Sequence, residues 1–524
     1  MKKQRKVMSL LLGMTVFVGA LSGCGSSKNS YQTAPTEYAE YTESGSDTYN
    51  YVEYEPENTE SYEKPDENGF FVTQTQPLST FAADVDTASY ANVRRMIESG
   101  SGASDINADA VRPEEFINYF NYDLNNPKEN EKFGVTTEIA PCPWNKDHKL
   151  MFVGVKAQEV ESNEEIVNNL VFLIDVSGSM FDEDKLPLLQ KAFKELIKNL
   201  PDEGTVSIVT YAGSDTVVLE GESLSNKKKI IRAINDLKAG GSTNGAAGIE
   251  RAYQIAEANY IEGGNNRVII ASDGDMNVGI SSPDELEKLI EEKKESGVFL
   301  SVLGFGTGNY KDDRMERLAD CGNGNYSYID SMLEAKKVLV EEMNSTLYTV
   351  AKDAKFQVEF NPNKVNSYRL IGYENRLMDA TDFNDDTKDG GEIGSGHTVV
   401  ALYEIIESGS QSAVNLKYQD SEKKDDEGNY ADEFATVNIR YKEPESDTSE
   451  LISVVVNDDA VSESPSENVK FAGLVAEFAM ILSDSEHKGN SSFEYITDTY
   501  KTIESTDEYK DEFNQLVRMV SKNS

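Results

Sequence analysis

Histidine, cysteine and basic residues are scarce in this sequence of 524 residues. It holds three histidines and three cysteines, and its 50 Lys and Arg stand against 93 Asp and Glu. The net charge of −43 excludes nucleic acid as an expected partner, because phosphate binding needs a basic face. Two cysteines beyond the N-terminal region, Cys142 and Cys321, and three scattered histidines are too few for a structural zinc site. Their spacing leaves a disulfide between the two cysteines open.

The first 23 residues have the pattern of an export signal. A basic start is followed by the apolar run 7–21 and by Leu21-Ser22-Gly23-Cys24. The run is short for a bilayer span, which favours a cleaved signal peptide. The last four residues resemble a bacterial lipobox, and this resemblance implies that Cys24 is lipidated and begins the mature chain. We therefore expect the protein at the extracytoplasmic face of the cell membrane, held there only by its lipid anchor.

Composition and periodicity divide the chain into six regions. After the signal come an acidic tether rich in Ser and Tyr, a small helical flank, a segment of alternating strands and helices, a β-rich segment and a helical region. The alternation predicts an α/β fold with an open, doubly wound, mostly parallel sheet. The predicted boundaries are 1–23, 24–69, 70–148, 149–352, 353–445 and 446–524.

Runs rich in Val, Ile and Phe predict strands, and apolar residues at helical spacing predict helices. In the alternating segment the strands are predicted at 149–157, 169–175, 205–211, 267–272 and 298–304. The helices there are predicted at 184–200, 226–238, 245–259, 283–296, 310–320 and 331–350. Elsewhere we expect helices after Thr87, over 113–122 and within 467–520, strands at 356–360, 399–403 and 436–440, and linkers at 419–432 and 443–449.

Three oxygen-bearing side chains follow a strand that has the pattern of complete burial. The apolar run 170–174 leads directly into Asp175-Val176-Ser177-Gly178-Ser179. One carboxylate and two hydroxyls suit Mg²⁺, Mn²⁺ or Ca²⁺ better than zinc. Alone, this string is also typical of an ordinary helix N-cap.

Two further polar turns are expected beside Asp175. Gly240-Gly241-Ser242-Thr243-Asn244 opens a helix, and Ser272-Asp273-Gly274-Asp275 follows the predicted strand at 267–272. Ligand sites in open α/β sheets lie at the carboxyl ends of the strands, so we expect these turns to meet.

Together the three motifs resemble the von Willebrand factor A domain and its metal-ion-dependent adhesion site. The resemblance implies one divalent cation, Mg²⁺ or else Mn²⁺ or Ca²⁺, held by hydroxyls and by carboxylates that often act through water. The implied ligands are Asp175, Ser177, Ser179, Thr243 and Asp273, and all five positions match. The resemblance also implies that the ion binds a protein partner whose Asp or Glu completes the coordination sphere.

The regions around this domain carry a second resemblance. Residues 81–90, 111–115 and 382–386 are similar to the YfbK-type bacterial lipoproteins, in which a von Willebrand A domain lies between family-specific flanks. This similarity implies export and a domain order, and it implies little about mechanism.

Two other classes of function stay open beside metal-dependent binding. A metal near Asp175 is compatible with phosphoryl transfer, but Ser177 stands where a haloacid-dehalogenase-type phosphatase needs a second Asp. The sequence has neither a nucleotide phosphate loop nor a nucleophile elbow, so we do not expect an enzyme. A role in envelope assembly or as a scaffold is the other alternative. The Asp382-x-Asn384-x-Asp386 segment lacks the Gly and Glu of an EF-hand and is predicted to be a solvated acidic turn.

Overall fold

The computed structural model describes most of the chain after residue 59. The described residues are 60–62, 66–83, 86–159, 167–212, 214–241, 246–274, 283–294, 296–308, 310–342, 348–388, 390–409, 430–444, 446 and 448–524. The predicted signal, Cys24 and most of the tether lie outside them. The last residues of the predicted tether contact the folded unit, since Arg95 pairs with Glu60 at 3.0 Å and the Asn68 amide donates to the Gly372 carbonyl at 2.8 Å.

The described part of the chain contains both strands and helices. The strands are β1 (Phe71–Val72), β2 (Leu78–Ala82), β3 (Phe133–Pro141), β4 (Lys149–Ala157), β5 (Asn168–Asp175), β6 (Gly204–Tyr211), β7 (Asp215–Ser223), β8 (Asn265–Ser272), β9 (Phe299–Phe305), β10 (Tyr326–Ile329), β11 (Thr349–Phe360), β12 (Val365–Leu370), β13 (Ile393–Gly394), β14 (Thr398–Glu407), β15 (Glu433–Lys442) and β16 (Ser449–Asn457). The α-helices are α1 (Ala88–Glu98), α2 (Pro113–Asn118), α3 (Leu186–Asn199), α4 (Lys227–Asn235), α5 (Ala246–Ala258), α6 (Pro283–Lys294), α7 (Asp312–Cys321), α8 (Met332–Lys336), α9 (Glu467–Leu482), α10 (Phe493–Tyr500) and α11 (Glu508–Asn523).

A six-stranded sheet of order β10-β9-β8-β5-β6-β7 carries the predicted site. All its pairings are parallel except that of the edge strand β7, which runs antiparallel to β6. Alternate residues of β5 enter two different cores: Phe172 packs with α3 and α4, and Leu173 packs with α5, α6 and α7. Helices therefore cover both faces, which confirms the predicted doubly wound α/β fold.

The predicted strands of this sheet lie within two residues of their observed positions, but the predicted helix at 331–350 is too long. The helix α8 ends at Lys336, a π-helical turn covers Lys337–Glu341, and β11 begins at Thr349. The edge strands β7 and β10 were not predicted. One is interrupted by polar residues and the other is only four residues long, so neither has a clear apolar pattern.

Two antiparallel sheets lie beside the α/β unit. One has the order β1-β12-β14-β4-β3, and the other joins β13, β11, β15 and β16, with β2 also paired to β11. The strand predicted at 149–157 is present as β4, but it pairs with β3 and β14 instead of joining the parallel sheet. The predicted linker at 443–449 leads into β16, which pairs with β15. This strand was not predicted, because the acidic composition before it indicated a linker.

The N-terminal flank and the C-terminal helices share one hydrophobic core. The helices α1 and α2 pack there against α9, α10 and α11. Trp144 is buried in the same core, and its indole N–H donates to Glu404 Oε2 at 3.0 Å. Cys142 and Cys321 are both free thiols. None of the described helices is both long enough and apolar enough to cross a bilayer.

Candidate functional site

The Asp175 motif occupies a tight turn at the carboxyl end of β5. The backbone N–H of Ser177 donates to Asp175 Oδ1 at 2.8 Å, and the hydroxyl oxygens of Ser177 and Ser179 lie 2.9 Å apart. Asp175 and Ser177 are buried, whereas Ser179 is half-buried. The Ser177 side chain makes no capping hydrogen bond to the 3₁₀ turn Gly178–Phe181 that follows. These oxygens therefore point together without serving as a helix cap.

The end of β8 brings the second carboxylate to the same place. β5 and β8 are adjacent parallel strands, with Ile174 opposite Ala271. The Ser272 hydroxyl donates to Asp175 Oδ2 at 3.2 Å, which ties the two strand ends together. Asp273, the next residue, is 1% exposed.

The turn after Asp273 needs a glycine. Gly274 has a φ of +87°, and a Cβ there would lie 2.8 Å from the backbone nitrogen of Lys311. The turn is thus held close to the start of α7.

The glycine pair predicted to approach the site does so through its backbone. Gly240 N–H donates to the Val176 carbonyl at 2.8 Å, and Gly178 N–H donates to the Gly241 carbonyl at 3.1 Å. Thr243 lies outside the described residues, so its place among the ligands stays a prediction.

The carboxylates of Asp175 and Asp273 are both buried, so their negative charge is poorly solvated. Burial raises the pKa of Asp175 to about 6, and the nearby Asp273 carboxylate acts in the same direction. Hydrogen bonds from Ser177 and Ser272 oppose this rise without cancelling it. A cation placed between the two carboxylates would remove the cost of ionising both.

Lys185 is a residue of this site that was not predicted from the sequence. Its ammonium donates to Asp273 Oδ2 at 2.9 Å, and the side chain is 6% exposed. A lysine just before a helix has no distinctive pattern, so no sequence signal identified it.

The donor set fits a hard divalent cation. Two carboxylates and two hydroxyls are oxygen ligands of the kind that Mg²⁺, Mn²⁺ and Ca²⁺ prefer. Within the described ranges no group of three or more His, Cys, Asp or Glu is placed to hold a metal. The candidate set therefore combines the carboxylates with the hydroxyls of Ser177 and Ser179. The acidic segment at 382–386 contacts neighbouring protein groups, since Asp386 accepts hydrogen bonds from Arg440 and Ser449.

Three family profiles match successive parts of the chain. The profile described as von Willebrand factor matches residues 56–152, von Willebrand factor type A domain matches 169–342, and Uncharacterized protein YfbK, C-terminal, matches 345–522. The second of these contains the site, and it begins after β4, in agreement with the pairing of that strand outside the parallel sheet.

Individual proteins are also similar to this chain. The chain is 40% identical over 470 residues to the Uncharacterized protein YfbK of Escherichia coli (strain K12), covering 88% of this chain and 81% of the relative. It is 28% identical over 183 residues to the Uncharacterized protein sll0103 of Synechocystis, covering 35% and 42%. Among solved structures, the von Willebrand factor type A protein from Catenulispora acidiphila is 15% identical with a TM-score of 0.38, covering 76% of this chain and 97% of that one.

Proposed function

This chain belongs to the YfbK family of von Willebrand factor A domain proteins, and from that premise we propose that it binds a protein partner through one divalent cation. Von Willebrand A domains in general mediate protein–protein interaction and metal-dependent adhesion. The observation that carries the proposal is the convergence of Asp175, Ser177, Ser179 and Asp273 at two adjacent strand ends. Thr243 is proposed as a further hydroxyl ligand.

The chemistry of the donors supports a role in binding. Hydroxyls are neutral ligands, so an ion held partly by them keeps much of its positive charge. Mg²⁺ takes six oxygen ligands, and the proposed side chains leave a position for an outside oxygen. We propose that an Asp or Glu of the partner fills it.

The site opens toward the surface on the side of the turn Gly178–Phe181. Gly178 is exposed, and the Phe181 side chain is 77% exposed. The side chain is thus accessible to a partner that approaches the ion from this side. We propose that Phe181 packs against the partner next to the acidic group.

The location of the protein is proposed from the sequence alone. The apolar run 7–21 and the motif ending in Cys24 support export and lipid anchoring at the extracytoplasmic face of the cell membrane. Membrane fractionation of the wild type and of Cys24→Ser tests this. Release of the variant from the membrane fraction is the expected result, and equal membrane retention of both would contradict it.

The decisive experiment compares metal binding and partner capture in the same variants. Asp175→Ala removes a ligand, and Asp236→Ala changes an exposed aspartate at the end of α4. Calorimetry with Mg²⁺, Mn²⁺ and Ca²⁺ measures the ion, and cross-linking in the native envelope followed by mass spectrometry identifies captured proteins.

We expect Asp175→Ala and a chelator to abolish both signals, and Asp236→Ala to keep them. Capture that persists in chelator would refute the metal-dependent mechanism and would favour a scaffold. Turnover of generic phosphate or ester substrates that is lost in Asp175→Ala would instead favour an enzyme.

A further inference from the structure

A buried lysine lies against one of the proposed metal ligands. Lys185 immediately precedes α3, and its Nζ donates to Asp273 Oδ2 at 2.9 Å. The lysine is 5% exposed and Asp273 is 1% exposed. Lysine is almost never buried to this degree unless it is paired. The pair therefore belongs to the interior of the site and is not a surface ion pair.

The fold holds the Lys185 side chain in this position. Its stem crosses the backbone at Gly306, which follows β9 with a φ of +78°. A Cβ at Gly306 would lie 2.4 Å from both Cγ and Cε of Lys185, so a larger residue would collide with the stem. The Lys185 N–H also donates to the Asp182 carbonyl at 3.0 Å. The contact with Gly306 and the hydrogen bond to Asp182 thus hold the ammonium against Asp273.

The lysine changes the charge that a metal ion meets. Asp175 and Asp273 alone would offer two negative charges, and the ammonium reduces the sum to one. An incoming divalent ion is repelled by the ammonium and must share Asp273 with it. Repulsion between charges a few ångströms apart is strong in a buried setting.

We propose that Lys185 is an internal cation that competes with the divalent ion and thereby lowers the metal affinity of the site. This inference rests on the proposed function, because it concerns the same ion. It assigns to Lys185 a role in setting affinity that is separate from ligation.

The test measures the dissociation constant of Mn²⁺ and of Mg²⁺ by calorimetry on the purified protein. Lys185→Met keeps the apolar stem without the charge, and Lys185→Gln keeps a hydrogen-bond donor without the charge. Lys191→Met removes an exposed lysine from α3, the helix that follows Lys185, and is the matched control. We expect both Lys185 variants to bind the ions at least about tenfold more tightly than the wild type, and the control to be unchanged.

A second readout separates this role from a purely structural one. Loss of the lysine leaves Asp273 without this partner, so either role lowers the melting temperature in chelator. Only competition predicts that added Mg²⁺ raises the melting temperature more in Lys185→Met than in the wild type.

The possible outcomes distinguish the two proposals. Equal or weaker metal binding by both Lys185 variants, while the wild type binds, would overturn the competition and leave the proposed function intact. If neither the wild type nor the variants bind any of the ions, the proposed function fails and this inference fails with it.

Discussion

Replacing Asp175 with Asn should stabilise the protein in the absence of metal, although it removes a proposed ligand. The ionised carboxylate is buried, and its pKa is raised from 3.8 to about 6. Each pKa unit corresponds to about 1.4 kcal/mol, so at neutral pH the charge costs the folded state about 3 kcal/mol. The amide accepts hydrogen bonds through one oxygen only, and losing the other acceptor costs about 1 kcal/mol. We therefore expect a net gain of about 2 kcal/mol.

The sign of the pH dependence follows from linkage. The folded protein holds the Asp175 proton more tightly than the unfolded chain, so the cost is complete above pH 6. It declines as the pH falls from 6 toward 3.8 and disappears below that value, where both states are protonated. The advantage of Asp175→Asn over the wild type should thus be largest at pH 8 and small at pH 4.

Urea unfolding followed by circular dichroism measures this difference in chelator and in excess Mg²⁺. In Mg²⁺ the order should reverse, because only the wild type gains the free energy of ion binding. Asp236→Asn serves as the control, since that aspartate is exposed. A variant that is less stable than the wild type in chelator at pH 8 would refute the claim that the site carries uncompensated charge.

Three further predictions concern the site and its surroundings. In calorimetry at a series of pH values, metal affinity should fall about tenfold per unit below pH 6, because a proton competes for Asp175, and an affinity independent of pH would contradict this. Phe181→Ser should reduce partner capture in cross-linking without changing the metal dissociation constant, and equal capture would exclude the apolar contact. Arg112→Met removes the buried counter-ion of Glu115 and Asp312, whereas Glu316 keeps Arg376 at 2.9 Å, and it should lower the free energy of unfolding by about 3–5 kcal/mol in urea titrations. A loss below about 1 kcal/mol would contradict the importance of this buried ion pair.

Local pattern was sufficient to predict that the turns of Asp175 and Asp273 lie side by side, whereas Lys185 was not predicted and Thr243 stays a prediction. Asp175 ends β5 and Asp273 directly follows β8, and both strands have clear apolar runs. Parallel strands place their carboxyl ends on one edge of the sheet. The pairing of strands that are distant in the sequence could not be predicted. An apolar strand such as β4 has the same pattern in either sheet, and only its pairing with β3 and β14 decides where it lies.

Buried charges were also invisible in the sequence. Arg94 lies in α1 and Arg112 lies directly before α2, where charged residues are normally exposed, yet both are almost fully buried. They are buried because carboxylates from the α/β unit surround them: Arg94 pairs with Asp330 at 2.6 Å, and Arg112 pairs with Asp312 at 2.9 Å. From composition alone, arginines are expected at the surface. Only the packing of the flank on α7 and β10 shows that these two are buried.

The start of α7 joins the family-specific flank to the proposed metal site. Asp312, the first residue of α7, accepts hydrogen bonds from Arg112 at 2.9 Å and from Asn92 at 3.2 Å, both in the flank. The preceding residue, Lys311, lies so close to Gly274 that its backbone nitrogen would be 2.8 Å from a Cβ there. The turn that carries Asp273 and the ion pairs of the flank therefore rest on consecutive residues. A displacement of α7 would move both the Asp273 turn and the ion pairs of the flank, because closely packed backbone transmits such a shift. In this protein the flank is thus part of the framework that positions the site.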